Sequence, residues 1–372
     1  MPKSIVIVGG GLAGLTCAIH LLQRGYPVKL IEKNRYPQHK VCGEFVSNEV
    51  RSYWTSIGID VNTLSPVEIS KFSISSAAGK VISSKLPLGG FGISRFTLDS
   101  FLFEKAVQLG CQVIHDTTAN INFANDAFRI QTYEHGTFSA DLVIGAFGKR
   151  SILDQQLNRT FFARKSSWLA VKAHYKGTFK SDGVALHNFE GGYCGISKVE
   201  NNVINVCYLT DSTLFKKFKT IEEFQQKVLY QNPHLKQFFE SAEMIFEQPI
   251  TIAQVSFAKK LPVEKHILMI GDTAGLIHPL CGNGMAMAIH SAKLCAELCD
   301  DYLQNKIKSR AHLEAAYTAI WKSVFQKRLL MSKILSSILN NRKVFNVLLH
   351  LLARFPFLLP GIIRSTHGKS NI

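Results

Sequence analysis

The opening residues constrain this chain more than any other stretch. "IVIVGGGLAGLTCAIHLLQRGYPVKLIEK" sets Gly9, Gly11 and Gly14 in a G-x-G-x-x-G arrangement. The glycines lie between an apolar strand at 4–8 and a helix predicted over 12–24, and a second strand follows at 28–32. The three glycines serve different ends. Gly9 permits a tight turn, Gly11 lets backbone approach a pyrophosphate, and Gly14 lets helix and strand pack closely. Leu12 and Ala13 open the helix, whose free N–H groups and positive dipole end attract an anion. Glu32 closes the second strand, followed by Lys33. A carboxylate there accepts from two ribose hydroxyls and repels a 2′-phosphate, which argues against NADP at this site.

The rest of the 372 residues must be arranged around that unit. A helix is expected at 47–57, strand character at 68–84, and an amphipathic helix at 97–109 with Thr97 as N-cap. Short strands are expected over 111–145, and mostly β structure from 160 to 257 with a helical interruption near 220–240. The strand "ILMIG" (267–271) leads into a second glycine-rich turn, and 283–355 reads as helical. The nucleotide-binding pattern thus resumes near 265, which makes the β-rich part an insertion. The predicted organisation is 1–160 with 262–300, then 161–261, then a helical basic region at 301–372. The fold class is α/β, α+β overall.

Eight cysteines show no CxxC pair and the histidines no ligand spacing, so free thiols in a reducing compartment and no metal site are expected. The first apolar run passes straight into glycines and does not read as a signal sequence, so a cytoplasmic location is expected. The net charge is +16, and residues 301–372 carry twelve Lys/Arg against Asp301 and Glu314. This fits either a solvated helix surface or attraction to an anionic membrane face or acidic partner. No nucleic-acid motif accompanies the charge.

The segment "GDTAGLIHPLCGNGMAMAIHSA" (271–292), coming after the first motif, resembles the flavoproteins of the glutathione-reductase-type fold that include p-hydroxybenzoate hydroxylase-like monooxygenases and geranylgeranyl reductases. The resemblance implies FAD. It implies that Gly271 and Asp272 bind the ribityl chain, and that Pro279, Gly282, Gly284 and Met285 form the turn and helix start around the isoalloxazine ring. A helix N-terminus there would stabilise negative charge on the reduced ring. In "GISRFTLDSFLFEKA", Arg95, Leu98 and Asp99 match the family pattern, with Arg95 implied as an FAD contact and an Arg95–Asp99 ion pair as the structural alternative. Cys42 and Gly43 match a Cys-Gly pair near the reactive face of the flavin. Glu44 follows them, where a carboxylate could exchange a proton with substrate or simply cap a helix starting near Ser47. Glu44 and Cys42 are therefore the candidate catalytic residues.

Over the β-rich insertion the chain departs from the proteins it resembles. The W-x-W-x-I-P signature of flavin halogenases is missing, and the reductases' Y-x-W-x-F-P stretch is replaced by "GGYCGIS", which keeps Tyr193. Tyr193 and His278 are the candidate substrate-pocket residues. In "ADLVIGAFGKRS" (140–151), Gly145, Gly148 and Ser151 match a G-A-D-G-x-x-S turn, while Phe147 replaces the acid. Both glycines are expected against the FAD, and the lost carboxylate weakens a hydroxylase-type NADPH role.

The resemblance thus implies an FAD-dependent oxidoreductase passing hydride to or from an apolar or aromatic, lipid-like substrate, with NAD(P)H as candidate electron donor. The alternatives are an O₂-using monooxygenase and a structural flavin-binding protein at a membrane. The C-terminal stripe of Val344, Phe345, Leu348, Leu349 and Leu352 fits either core packing or a membrane-surface helix.

Overall fold

The computed structural model describes residues 3–163, 165–370 and 372. The chain begins with β1 (Ile5–Val8), α1 (Leu12–Gln23) and β2 (Val28–Ile31). Next come β3 (Phe45–Ser47), β4 (Val67–Ser75) and β5 (Val81–Gly92), then α2 (Arg95–Gln108) and β6 (Gln112–Ile114). A meander of β7 (Thr118–Ala124), β8 (Ala127–Thr132) and β9 (Thr137–Ala140) leads into β10 (Leu142–Gly145). The β-rich stretch holds β11 (Trp168–Lys176), β12 (Gly183–Phe189), β13 (Gly192–Lys198), β14 (Ile204–Asp211), β15 (Glu243–Met244) and β16 (Ile250–Ile252). After β17 (Val263–Glu264) and β18 (Ile267–Met269) come four helices: α3 (Gly284–Leu303), α4 (Arg310–Asn340), α5 (Arg342–Arg354) and α6 (Leu358–Thr366).

One sheet runs β17-β18-β10-β1-β2-β6. Four of its five pairings are parallel and only β17–β18 is antiparallel, with Ile5 opposite both Leu142 and Val28. All residues of β1, β10 and β18 are buried, as expected of strands covered on both faces. Helices α1, α2 and α3 pack with this sheet into one apolar core. The β7-β8-β9 meander is a separate small sheet, and β8 alternates exposed and buried residues as a one-sided strand does.

The second sheet has nine strands, and it crosses the boundary expected at residue 160. β3, β4 and β5 leave the nucleotide-binding half and join it, β4 pairing in parallel with β12 from Gly183↔Lys71 to His187↔Ser75. Hydrophobic periodicity marks a strand without saying which sheet will complete it, so this long-range pairing had no local signal. The helix expected at 47–57 begins as β3 and is α-helical only over Arg51–Ser56. Residues 68–84 become two strands of a hairpin. Helix α2 starts earlier than expected, because Ser94 supplies the cap and its Oγ accepts from the Thr97 N–H at 3.1 Å.

The C-terminal stripe packs inward. Phe345, Leu349, Leu352, Leu359 and Ile363 are buried in one cluster with Ala170, Leu186, Tyr193 and Leu209 of the second sheet. Burial of each such side chain contributes about 2 kcal/mol. Val344 points outward instead and is 46% exposed. Among the described residues, no helix is long and apolar enough to cross a membrane.

Candidate cofactor and substrate cavity

β18, β10 and β1 are neighbours in the parallel sheet, and each ends at its carboxyl edge in a glycine turn. Ligands of open parallel sheets bind at that edge, where loops and helix N-termini converge. A cavity of about 1030 Å³ opens there and continues under the second sheet and the C-terminal helices.

The glycines fill the roles their spacing predicts. Gly9 has φ +109°, and a Cβ on it would lie 2.3 Å from the Ala146 carbonyl oxygen. A Cβ on Gly14 would lie 1.9 Å from the Gly9 carbonyl oxygen, so this residue secures helix–strand packing. Gly14 accordingly does not line the cavity, whereas Gly9, Gly11, Leu12, Ala13 and Lys33 do. Neither α1 nor α3 has a side-chain cap at its N-terminus, so first-turn N–H groups remain for a ligand. Glu32 accepts from the Gly10 N–H at 2.7 Å and the Asn34 N–H at 2.9 Å. Each of its oxygens keeps lone-pair capacity on the cavity it lines.

Arg95 lines the cavity beside the first glycine turn, its Nη2 being 3.9 Å from a Cβ built on Gly11. Its Nε and Nη2 each donate to Asp99 at 2.7 Å, and Lys40 Nζ donates to the same carboxylate at 2.9 Å. Burial opposes ionisation of both partners, but mutual attraction outweighs it: the Arg95 pKa is raised and that of Asp99 lowered. The ion pair weighed against cofactor contact is therefore present on a cavity-lining arginine.

Gly271, Asp272, Pro279, Gly282, Gly284 and Met285 all line the cavity. Gly271 and Gly282 are left-handed, with φ +59° and +61°. The Asp272 carboxylate has no hydrogen-bond partner among the described residues, while its carbonyl accepts from Lys260 Nζ at 2.7 Å. Lys260 also donates to the Lys149 carbonyl at 2.8 Å and so clamps two of the glycine turns together. Burial lowers its pKa to about 8. No feature of the sequence around Lys260 pointed to this role.

The two glycines beside Phe147 separate in function. Gly148, with φ +84° and open space where a Cβ would be, lines the cavity. Gly145 does not: a Cβ there would meet Met269 Sδ at 2.6 Å and the Phe147 ring at 2.9 Å. The expectation that both lie against the cofactor is thus corrected, because Gly145 is needed for packing β10 on β18. Phe147 is half-buried and lines the cavity.

Cys42, Gly43 and Glu44 line the cavity where the two sheets meet. Asn205 Nδ2 donates to the Cys42 carbonyl at 3.2 Å, and the Glu44 N–H points at Cys42 Sγ at 3.4 Å. Glu44 is fully buried at φ +53°. One of its oxygens accepts from the Arg95 N–H at 2.7 Å and from Lys172 Nζ; the other pairs with His174 Nε2 at 2.7 Å. Burial disfavours the carboxylate, but the His174 bond and the Lys172 charge overcome this and lower its pKa. It does not cap the segment starting at Ser47, since Ser47 itself accepts from the Glu49 N–H. Lys172 and His174 were not legible as partners: they lie more than 120 residues away, on β11.

Tyr193 lines the cavity, whereas His278 does not. His278 is buried against Trp168, Tyr193 and Phe257, caps the following turn, and has an Nε2 with no partner. Burial lowers its pKa to about 3. Its expected place in the substrate pocket is corrected: the turn rotates it behind Tyr193. Beyond Tyr193 the walls are apolar, including Phe72, Leu86, Leu186, Leu209, Ile252 and Leu349.

These features fit FAD: uncapped helix N-termini, glycine surfaces open to the cavity, the cavity-lining Glu32 carboxylate, and an Asp272 carboxylate without a partner among the described residues. A family model described as "FAD binding domain" matches residues 3–305. Conditioned medium factor receptor 1 of Dictyostelium discoideum is 22% identical, with 89% of this chain and 70% of that protein aligned. Tryptophan 2-halogenase of Chondromyces crocatus is 22% identical over 80% of this chain, which spans only 61% of the halogenase. Among solved structures, the flavin-dependent brominase Bmp2 has a TM-score of 0.79 at 17% identity, covering 100% of this chain and 94% of its own. A geranylgeranyl bacteriochlorophyll reductase-like protein from Thermoplasma acidophilum has a TM-score of 0.75 at 19% identity, covering 91% and 87%.

Proposed function

Because the chain belongs to the FAD binding domain family and is an FAD-dependent oxidoreductase, we propose that it passes hydride to or from an apolar, lipid-like organic substrate. The observation that carries this reading is the cavity's division into two halves. A glycine-rich polar end suited to a dinucleotide continues into an end walled by aliphatic and aromatic side chains. Burial of an apolar substrate there would contribute about 25 cal/mol per Å².

Bound FAD would supply the two-electron chemistry of its isoalloxazine ring. Gly11 would admit the pyrophosphate to the backbone, where the free N–H groups of the α1 N-terminus would hold it, and Gly9 makes the turn that this requires. Glu32 would accept from ribose hydroxyls, and Asp272 from those of the ribityl chain. The N-terminus of α3 supplies positive potential where negative charge develops.

Glu44 holds Lys172, His174 and the Arg95 backbone in place, and its occupied lone pairs make it a positioning residue in this reading. Cys42, on the cavity wall and fixed through Asn205, is the group assigned to hold the proton that accompanies hydride. NAD(P)H is the proposed electron donor.

A spectrum of the purified protein, then reduction by NADH or NADPH and anaerobic turnover of isoprenoid alkenes and quinones, tests the reading. Reduced flavin reoxidised by such a substrate without oxygen is the expected result. Turnover only with oxygen would favour the second reading, a monooxygenase or halogenase, which the similarity to the tryptophan 2-halogenase supports. The missing W-x-W-x-I-P stretch weighs against halogenation.

A further inference from the structure

Helix α5 buries one face and carries an exposed apolar stripe beside it, between the buried side chains and the exposed Lys343, His350 and Arg354. Val344, Val347, Leu351 and Phe355 follow i, i+3, i+7, i+11 spacing and are 46%, 70%, 47% and 42% exposed, so they form one outward stripe. Phe357, 71% exposed, and Leu358 extend it into the connection to α6, and the Phe355 and Phe357 rings lie 6.1 Å apart. Arg342, Lys343, Arg354 and Arg364 are exposed on the same two helices. After Glu314 the chain contains no Asp or Glu. The one later cation in an ion pair among the described residues is Arg328, bound to Glu49.

We propose that this face of α5 and the α5–α6 connection docks on the surface of an anionic lipid bilayer. Apolar side chains with flanking cations match a headgroup layer over acyl chains. A second copy of the chain would instead bring cations against cations. α5 spans about 20 Å and lies along such a surface rather than crossing it. Its inner residues Phe345, Leu348, Leu349 and Leu352 line the apolar end of the cavity. Docking thus brings that wall to the phase in which an apolar substrate dissolves, although the binding itself does not depend on the chemistry proposed above.

The test is co-sedimentation of the FAD-loaded full chain with vesicles of phosphatidylcholine alone or mixed equally with phosphatidylserine. Binding to the mixed vesicles is expected to be at least about tenfold tighter and to weaken with salt. The double variant Val347→Asp, Phe357→Asp, neither residue lining the cavity, is expected to lose about tenfold in binding with its melting temperature and flavin spectrum unchanged. Equal binding of wild type and double variant to the mixed vesicles would overturn the proposal. So would a wild-type dimer in gel filtration that the double variant abolishes, since that would assign the face to a second copy.

Discussion

The two ends of the cavity are built by different means. The dinucleotide end is made largely of backbone: glycine turns at the ends of β1, β10 and β18, and the N-termini of α1 and α3. The apolar end is made of side chains contributed by β4, β12, β14, β16 and the C-terminal helices. Backbone within 2 Å of a would-be Cβ cannot yield, whereas aliphatic walls can repack around a change in volume. The first end should therefore be intolerant of substitution and fixed in ligand, and the second tolerant and selective by shape.

Gly14→Val is the strongest attempt to break that contrast. Its side chain would collide with the Gly9 carbonyl, and a loss above about 4 kcal/mol is expected, near the upper range for single substitutions. A near-normal melting temperature with bound flavin would contradict the rigid-backbone account. Glu44→Ala, at the seam between the two ends, leaves Lys172 buried without its carboxylate. A cost of about 3–5 kcal/mol is expected, and Glu44→Gln should restore part of it in denaturant titrations. Retained turnover in a folded Glu44→Gln protein would support its positioning role.

At the apolar end, Leu349→Ala should cost about 2–3 kcal/mol, leave the flavin spectrum unchanged, and shift KM more than kcat towards bulkier substrates. Loss of flavin from this variant would show that the two ends are not separable.

Acid should act in two stages, histidines first and carboxylates later. His187 and His278, on or behind the second sheet, have folded pKa values of about 4 and 3 against 6.5 in the unfolded chain. The unfolded state therefore binds more protons below about pH 6.5, and this stability is lost as pH falls from there towards 3–4. The depressed pKa values of Glu44 and Asp99 act later, with stability lost only as pH falls below their unfolded values of 4.5 and 3.8. Melting temperature should decline between pH 6.5 and 4.5, and His278→Gln should flatten that decline. An unchanged slope would remove His278 from the account.

The smallest effect is expected from Phe147→Asp, since the ring is half-buried beside the open Gly148. Flavin should stay bound, and its loss would show that the ring is needed where it packs on Gly145.

The contrast between the ends also explains what could be read in advance. Gly9, Gly11, Glu32, Gly271 and Gly282 act through local backbone geometry, and local geometry is written in short spacings, so the nucleotide-binding fold and its FAD were legible. So was the amphipathic character of the C-terminal helices, though not which face they would bury. The membership of β3–β5 in the second sheet, the Lys172–Glu44–His174 cluster, the Lys260 clamp and the turning of His278 behind Tyr193 depend on contacts between distant segments. A spacing rule carries no information about partners a hundred residues away, and only the packing of the two sheets against each other decided them.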